Sequence, residues 1–394
     1  MTLLFLSDIP WFGLHQRPQQ LASRFAKRWP VLWIEPATLS RKINFTPRQI
    51  QPNLHILSLP QFPHNARHRL VRVLSALLSR IPFLRSILLR IQLFLLQRAI
   101  ALLDGKYSGL ALTRNEIGFF IQNFQLIGLV KYFHPTVVAF DYIDDAFGFV
   151  KFPQYVHEDW LNTIQRADVI SATSPTLQRN IQKAHAVNVH LVSNGVEYEF
   201  FASSRETRRP PDLPPADTPI IGYVGSVYAW FDFDLMENLL KRMPDLQFVV
   251  VGHDHPGVRN RLNALSRHSN FFFLGYKPYD QVPFYLNHFD VGIIPFAKSM
   301  LTAAVNPVKL YEYSAAGVPT VATNFSDDLL VYNKIIFISG TTNEFIENLH
   351  RALRKSRDKK FVSSLRHFAQ KHDWDTRAHA LAKLMERAKV KRKT

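Results

Sequence analysis

Short apolar strand-like runs alternate with helical stretches in two separate parts of this chain, and that alternation restricts it to a parallel α/β architecture. The first part has Leu3-Leu-Phe-Leu-Ser7, a turn holding Pro10 and Gly13, a helical stretch from Arg17 to Arg28, and Val31-Leu-Trp-Ile-Glu35. The second has Ile220 to Gly225, a helical stretch from Asp234 to Arg242, and Leu246 to Gly252. Further short strands follow at Phe271 to Leu274, Val291 to Pro295 and Pro319 to Ala322. The β-α-β pattern recurs in both parts, so two doubly wound domains are expected. Between them Ser203 to Asp217 is polar and Pro-rich, which suits neither a helix nor a central strand. The expected division is therefore 1–202, a linker at 203–218, a second domain at 219–373, and a closing amphipathic helix at 374–394. In that helix Ala380, Leu381, Leu384 and Ala388 recur at helical spacing. A length of 394 residues accommodates both domains.

Composition narrows the partners. The net charge of +17 favours anions such as phosphates or acidic headgroups. The absence of Cys excludes disulfides, thiolate metal ligation and a cysteine nucleophile. Met1 to Pro10 carries Asp8 and no basic n-region, so no signal peptide is expected. Phe83 to Leu103 is interrupted by Arg85, Arg90 and Arg98, so no membrane span is expected either. Charge and aromatic content would suit a nucleic-acid scaffold, the alternative to an enzyme. The aromatics, however, fall mostly in strand-like runs and no nucleic-acid motif is present, so no nucleic-acid partner is expected.

Two stretches could carry chemistry. Gly222-Tyr-Val-Gly225-Ser226 places small residues where backbone N–H groups and a helix N-terminus meet a phosphate, or where a strand simply turns into a helix. It is neither G-x-G-x-x-G nor a Walker loop. In Asn306 to Pro319, Pro307 suits a helix's first turn and Gly317 its C-cap, which puts Lys309 and Glu312 on one helical face. Such a pair either takes a diphosphate and a ribose or forms a surface ion pair worth a few tenths of a kcal/mol.

Asn306 to Thr323 resembles the nucleotide-sugar-binding helix of GT-B glycosyltransferases, in the form P-x-K-x-x-E-Y-x-A-x-G-x-P. Gly222 to Ser226, Phe248 to Gly252, Asn270 to Tyr276 and Phe289 to Pro295 match in order. Ser7 to Trp11 with Gln16 to Leu21 resembles the acceptor-domain opening of group-1-like bacterial polysaccharide enzymes, of the teichuronic acid and xanthan glucuronosyltransferase type. The resemblance implies two facing Rossmann-like domains around a deep cleft. It implies that Glu312 holds the ribose, that Lys309 with the Gly225 and Ser226 backbone meets the diphosphate, and that Gly275 and Tyr276 meet the base, with Asn306 and Val308 completing the donor site. A UDP-sugar is the first choice of donor, with no separate cofactor and no metal. The departure is Ala304, where the group-1 E-x7-E pattern has its first Glu. The loop Val227 to Asp232 also lacks the usual basic residues, so Lys309 would carry much of the neutralising charge.

Asp141, Asp144 and Asp145 follow the strand-like Thr136 to Phe140 and supply carboxylates for an acceptor proton, or caps for the next helix. By resemblance Asp144 is the expected base and Asp145 its neighbour. Gly13, Arg17 and Asp141 are the expected acceptor-side residues. Asp232-Phe-Asp234 reads as a helix cap, and His253-Asp-His255 lacks a third ligand for a metal. His15 either lines the cleft or ends a turn.

From Pro36 to Leu103 there is no Asp or Glu, while basic residues stand at 41, 42, 48, 67, 69, 72, 80, 85, 90 and 98. On a helical wheel Arg69, Arg72 and Arg80 oppose Leu70, Leu74, Leu77 and Leu78. That is an interfacial amphipathic pattern, or else a helix pair covering the first sheet. Residues 65–103 are thus expected to meet an anionic membrane surface, with the protein peripheral on the cytoplasmic face. The expected reaction extends a growing, lipid-linked, cell-surface glycan at a hydroxyl.

Overall fold

The structure, a computed structural model, describes residues 1–13, 15–37, 44–64, 69–106, 116–149, 152–202 and 209–393. Arg41, Lys42, residues 65–68 of the basic segment and 203–208 of the expected linker lie outside the described residues. The chain forms two compact units, Met1–Ser193 with Arg377–Thr394, and Asn194–Thr376.

The first unit is built on β1 (Thr2–Leu6), β2 (Val31–Pro36), β3 (Arg48–Gln51), β4 (Leu54–Leu59), β5 (Ile117–Ile121), β6 (Val137–Tyr142), β7 (Val169–Ala172) and β8 (His190–Leu191). Their order is β3-β4-β2-β1-β5-β6-β7-β8, parallel throughout except for β3 at one edge. Strands buried on both faces read as continuous apolar runs, which is why Leu3 to Leu6 showed itself in the sequence. The Phe5 ring lies 4.9 Å from Trp33 and 4.8 Å from Phe120, fixing β1 between β2 and β5. The helices are α1 (Arg17–Phe25), α2 (Arg69–Leu78), α3 (Pro82–Lys106), α4 (Ala146–Phe149), α5 (Gln154–Arg166) and α6 (Pro175–Ala184).

The second unit carries α7 (Tyr198–Ala202), then β9 (Ile220–Val224), β10 (Gln247–Val251), β11 (Phe271–Gly275), β12 (Val291–Ile294), β13 (Thr320–Thr323) and β14 (Ile336–Ser339). The all-parallel order is β11-β10-β9-β12-β13-β14. In both sheets the strand order reverses beside the first strand, and ligands bind at the carboxyl ends at such a switch point. Around the second sheet lie α8 (Phe233–Arg242), α9 (Arg259–Leu265), α10 (Val282–Leu286), α11 (Met300–Ala303), α12 (Val308–Ala316), α13 (Thr342–Ser356) and α14 (Lys359–Lys371). Gly222 is a packing glycine in mid-strand. A Cβ there would meet the Phe289 ring at 1.9 Å, so only Gly225 of the Gly222–Ser226 stretch belongs to a loop.

The boundary falls at Ser193, earlier than the expected 202. Asn194 is tied to Asn306, Val196 bridges to Asp373, and Phe201 is buried in the second core. The described part of the Pro-rich stretch also docks there, with Leu213 in the core and Asp212 2.6 Å from Lys277. The closing helix α15 (Trp374–Lys393) passes into the first unit at Arg377. Its buried stripe is Trp374, Ala378, Leu381, Ala382 and Met385, one turn-spaced set that shares only Leu381 with the expected apolar positions. Beyond it Lys389 pairs with Glu116 and Arg392 with Asp168. Residues Pro82–Asp104 of α3 are, by length and composition alone, apolar enough to cross a membrane.

Candidate active site

Three adjacent parallel strands of the second unit end at glycines with positive φ: Gly225 after β9 (φ 146°), Gly252 after β10 (φ 151°) and Gly275 in β11 (φ 67°). Glycine adopts these angles without Cβ strain. The turns are also crowded. A Cβ on Gly252 would stand 2.0 Å from the Gly225 carbonyl oxygen, and one on Gly225 would stand 2.4 Å from Lys309 Cε. The Gly225 N–H donates to Val251 O and the Gly252 N–H to Gly275 O, both at 2.8 Å, so the loops are laced together. Among the described residues the Ser226 N–H has no acceptor.

Helix α12 faces these turns. Its N-cap is Pro307, with no side chain capping the first turn, so the Val308 and Lys309 N–H groups are left for an anion. The proline thus stands one position earlier than expected. Gly317 ends the helix in the left-handed conformation (φ 80°), as its place before Pro319 suggested. Lys309 Nζ lies 5.3 Å from the Tyr223 ring centroid and 5.5 Å from that of Phe296, and burial pushes the ammonium below its usual value. Glu312 is half-buried, and burial lifts its carboxyl to about 7, with Lys309 opposing and Glu197 adding to the rise. Among the described residues neither group has a hydrogen-bond or ion-pair partner, so the surface ion pair left open by spacing is not formed.

Nearby, the His253 and Tyr276 rings stack at 4.1 Å and 14°, with Tyr276 exposed. Asp254 pairs with Arg259, and His255 Nδ1 accepts from the Gly257 N–H, so the His-Asp-His run is dispersed. Asp232 caps α8 through the Leu235 N–H, which fills that helix N-terminus with a carboxylate. Asn306 is spent internally: its Oδ1 accepts from the Asn194 N–H and the Tyr311 hydroxyl, and its Nδ2 donates to Tyr332. Ala304 is buried, closing the place of the missing carboxylate.

In the first unit Asp141 and Arg17 turn out to be a buried structural pair. Arg17 Nε and Nη2 donate to the two carboxylate oxygens at 2.9 and 2.8 Å, Gln122 and Ser171 add two more donors, and Arg17 Nη1 reaches the Ser193 carbonyl. Both are fully enclosed, which removes them from the acceptor side. Asp145 caps α4, its Oδ1 accepting from the Phe147 N–H. Asp144 is left facing solvent. Its carboxyl is raised to about 7 by the protein packed around it, then by the like charges of Asp8 and Asp145, with Arg17 opposing. Asp8, two residues beyond β1, rises to about 6 chiefly because the protein around it desolvates the carboxyl. The electrostatic pairing of these two carboxylates was missed in the sequence; its signal was an Asp just beyond each of two strands, Asp8 after β1 and Asp144 after β6. Gly13 lies in the exposed loop between, at φ 151°. That loop is pinned where the Trp11 N–H donates to Glu35 at 2.7 Å and Gln19 reaches Pro10 O.

The two sheets and the closing helix define the GT-B fold. Sucrose-phosphate synthase from Thermosynechococcus elongatus superposes with a TM-score of 0.72 at 15% identity, over 98% of each chain. HepE from Anabaena, crystallised with UDP and glucose, superposes with a TM-score of 0.62 at 15% identity, over 98% of this chain and 99% of that one. Residues 218–355, within the second unit, match the family described as Glycosyl transferases group 1. The chain is 30% identical over 221 residues to TuaH of Bacillus subtilis (strain 168), which bears the name of a teichuronic acid biosynthesis glycosyltransferase. That match spans 55% of this chain and 56% of TuaH.

Proposed function

We propose that this protein is a glycosyltransferase that moves a sugar from a nucleoside diphosphate sugar, a UDP-sugar first, to a hydroxyl of a growing lipid-linked glycan. The observation that carries the reading is the Lys309 and Glu312 pair: opposite charges on one helix face, with no hydrogen-bond or ion-pair partner among the described residues, beside three positive-φ turns. Lys309, the Ser226 N–H and the uncapped start of α12 neutralise the departing diphosphate, with no metal required. Glu312 accepts hydrogen bonds from the ribose hydroxyls, and the stacked His253 and Tyr276 rings offer the base a platform. Asp144 takes the proton as the acceptor oxygen attacks the anomeric carbon. The bond from that carbon to the phosphate oxygen breaks, and the nucleoside diphosphate leaves with the electron pair. The name borne by TuaH and the UDP held by HepE support this donor and this class of product.

The test is release of UDP from UDP-sugars by the full chain, with and without polyprenyl-diphosphate-linked saccharides. Acceptor-dependent release that survives EDTA and is lost in Asp144→Asn supports the reading. No acceptor-dependent release from any nucleotide sugar overturns it.

A further inference from the structure

Helix α2 carries its polarity inside out. The buried residue of its span is Ser75, joined one turn later by buried Ser79. Ser75 Oγ sits 3.4 Å from His64 Nδ1, and His64 Nε2 is 2.7 Å from the Tyr155 hydroxyl. The side of α2 against the protein is therefore polar, while Leu70 is 83% exposed and Leu74 57%. A helix folded for water alone has the reverse arrangement. The next helix continues the pattern: Phe83 and Phe94 of α3 are 72% and 62% exposed.

We infer that α2 and the first half of α3 are a membrane-docking element, lying in the plane of an anionic bilayer surface with their outward apolar side chains below the headgroups. An apolar run of this extent on a soluble surface marks an interaction site, and the charge around it selects the partner. No acidic residue occurs between Pro36 and Leu103, and Arg69, Arg80 and Arg90 are exposed among the apolar groups, where guanidinium groups reach lipid phosphates. A second copy of the chain would bring the same cations against them. The second half of α3 is held by the protein, with Leu96, Ala99, Ile100 and Leu103 buried and Gln92 Nε2 donating to Pro60 O at 2.7 Å. The helix therefore lies on a membrane and does not cross it. This inference concerns the first unit alone and is independent of the donor-site reading.

Flotation of the full chain tests it, with vesicles of phosphatidylcholine alone and with about one-third phosphatidylglycerol added. The wild type should float with the anionic vesicles. Leu74→Glu combined with Phe94→Glu should lower that binding by roughly tenfold or more. Arg69→Gln with Arg80→Gln and Arg90→Gln should reduce it to the level seen with phosphatidylcholine. Circular dichroism and UDP titration of each variant check folding and the donor site separately, since these positions are exposed and outside the second unit. A wild type that stays in the aqueous fraction with both vesicles overturns the inference. So does a wild-type dimer that the Leu74→Glu and Phe94→Glu changes dissociate.

Discussion

Replacing Glu312 with Gln should make the second unit more stable while weakening its binding of donor. In the folded state the Glu312 carboxyl titrates near 7, against 4.5 for the free side chain. The folded protein therefore holds a proton that the unfolded chain releases between those values. Stability is full below pH 4.5, falls as pH rises through the window, and the loss is complete above 7. A difference of about 2.5 units corresponds to ~3 kcal/mol at 1.36 kcal/mol per unit. Solvent contact at this half-buried group and the loss of Glu312 as a neighbour of Lys309 reduce the net gain to about 1–2 kcal/mol. For a unit of this size that raises the melting temperature by about 2–8 °C. Differential scanning calorimetry of wild type and Glu312→Gln at pH 8 should show this rise, and the difference should shrink towards zero at pH 4.5. A variant that melts lower than wild type at pH 8 would mark Glu312 as a structural ion-pair partner and refute the reasoning.

Three further outcomes are expected. The pH profile of kcat should rise with pH to half-maximum near 7 as Asp144 ionises, and Asp144→Asn should lower kcat by about 10²–10⁴-fold. Asp145→Ala should cost only about 1 kcal/mol as a helix cap, and a kinetic loss equal to that of Asp144→Asn would contradict the assignment. Arg17→Met should destabilise the first unit by about 3–5 kcal/mol in urea unfolding, because it strands the buried Asp141 carboxylate; unchanged stability would return Arg17 to the acceptor side. Gly225→Ala should weaken UDP binding by roughly tenfold or more, since its Cβ displaces Lys309, whereas Gly275→Ala meets no neighbouring atom and carries only a positive-φ cost of about 1–2 kcal/mol. UDP titration of both variants decides this.

The elements most legible in the sequence were those whose cause is local. Buried parallel strands announce themselves as apolar runs, Asp232 caps α8, and Gly317 takes the left-handed position its spacing requires. Lys309 and Glu312 share a helix and so a face. What escaped depends on contacts between distant segments. Asp8 nears Asp144 because β1 and β6 both flank β5, and nothing in the 135 intervening residues records that. Asn306 looked free until Asn194 arrived to bind it, and the same tie moved the unit boundary to Ser193. Asp141 lies three residues from Asp144 and has the opposite fate, because β6 points it inward onto Arg17. For α2 a helical wheel separates two faces without saying which one meets the protein. The buried Ser75 answers that.

The most direct test of the donor site is calorimetric titration of the full chain with UDP in the presence of EDTA, repeated on Lys309→Met and Glu312→Gln, with GDP and ADP as controls. The account predicts saturable binding of one nucleotide, undiminished by EDTA and weakened at least tenfold, about 1.4 kcal/mol, in each variant. Binding that both variants retain, or no binding of any of the three nucleotides, would contradict it.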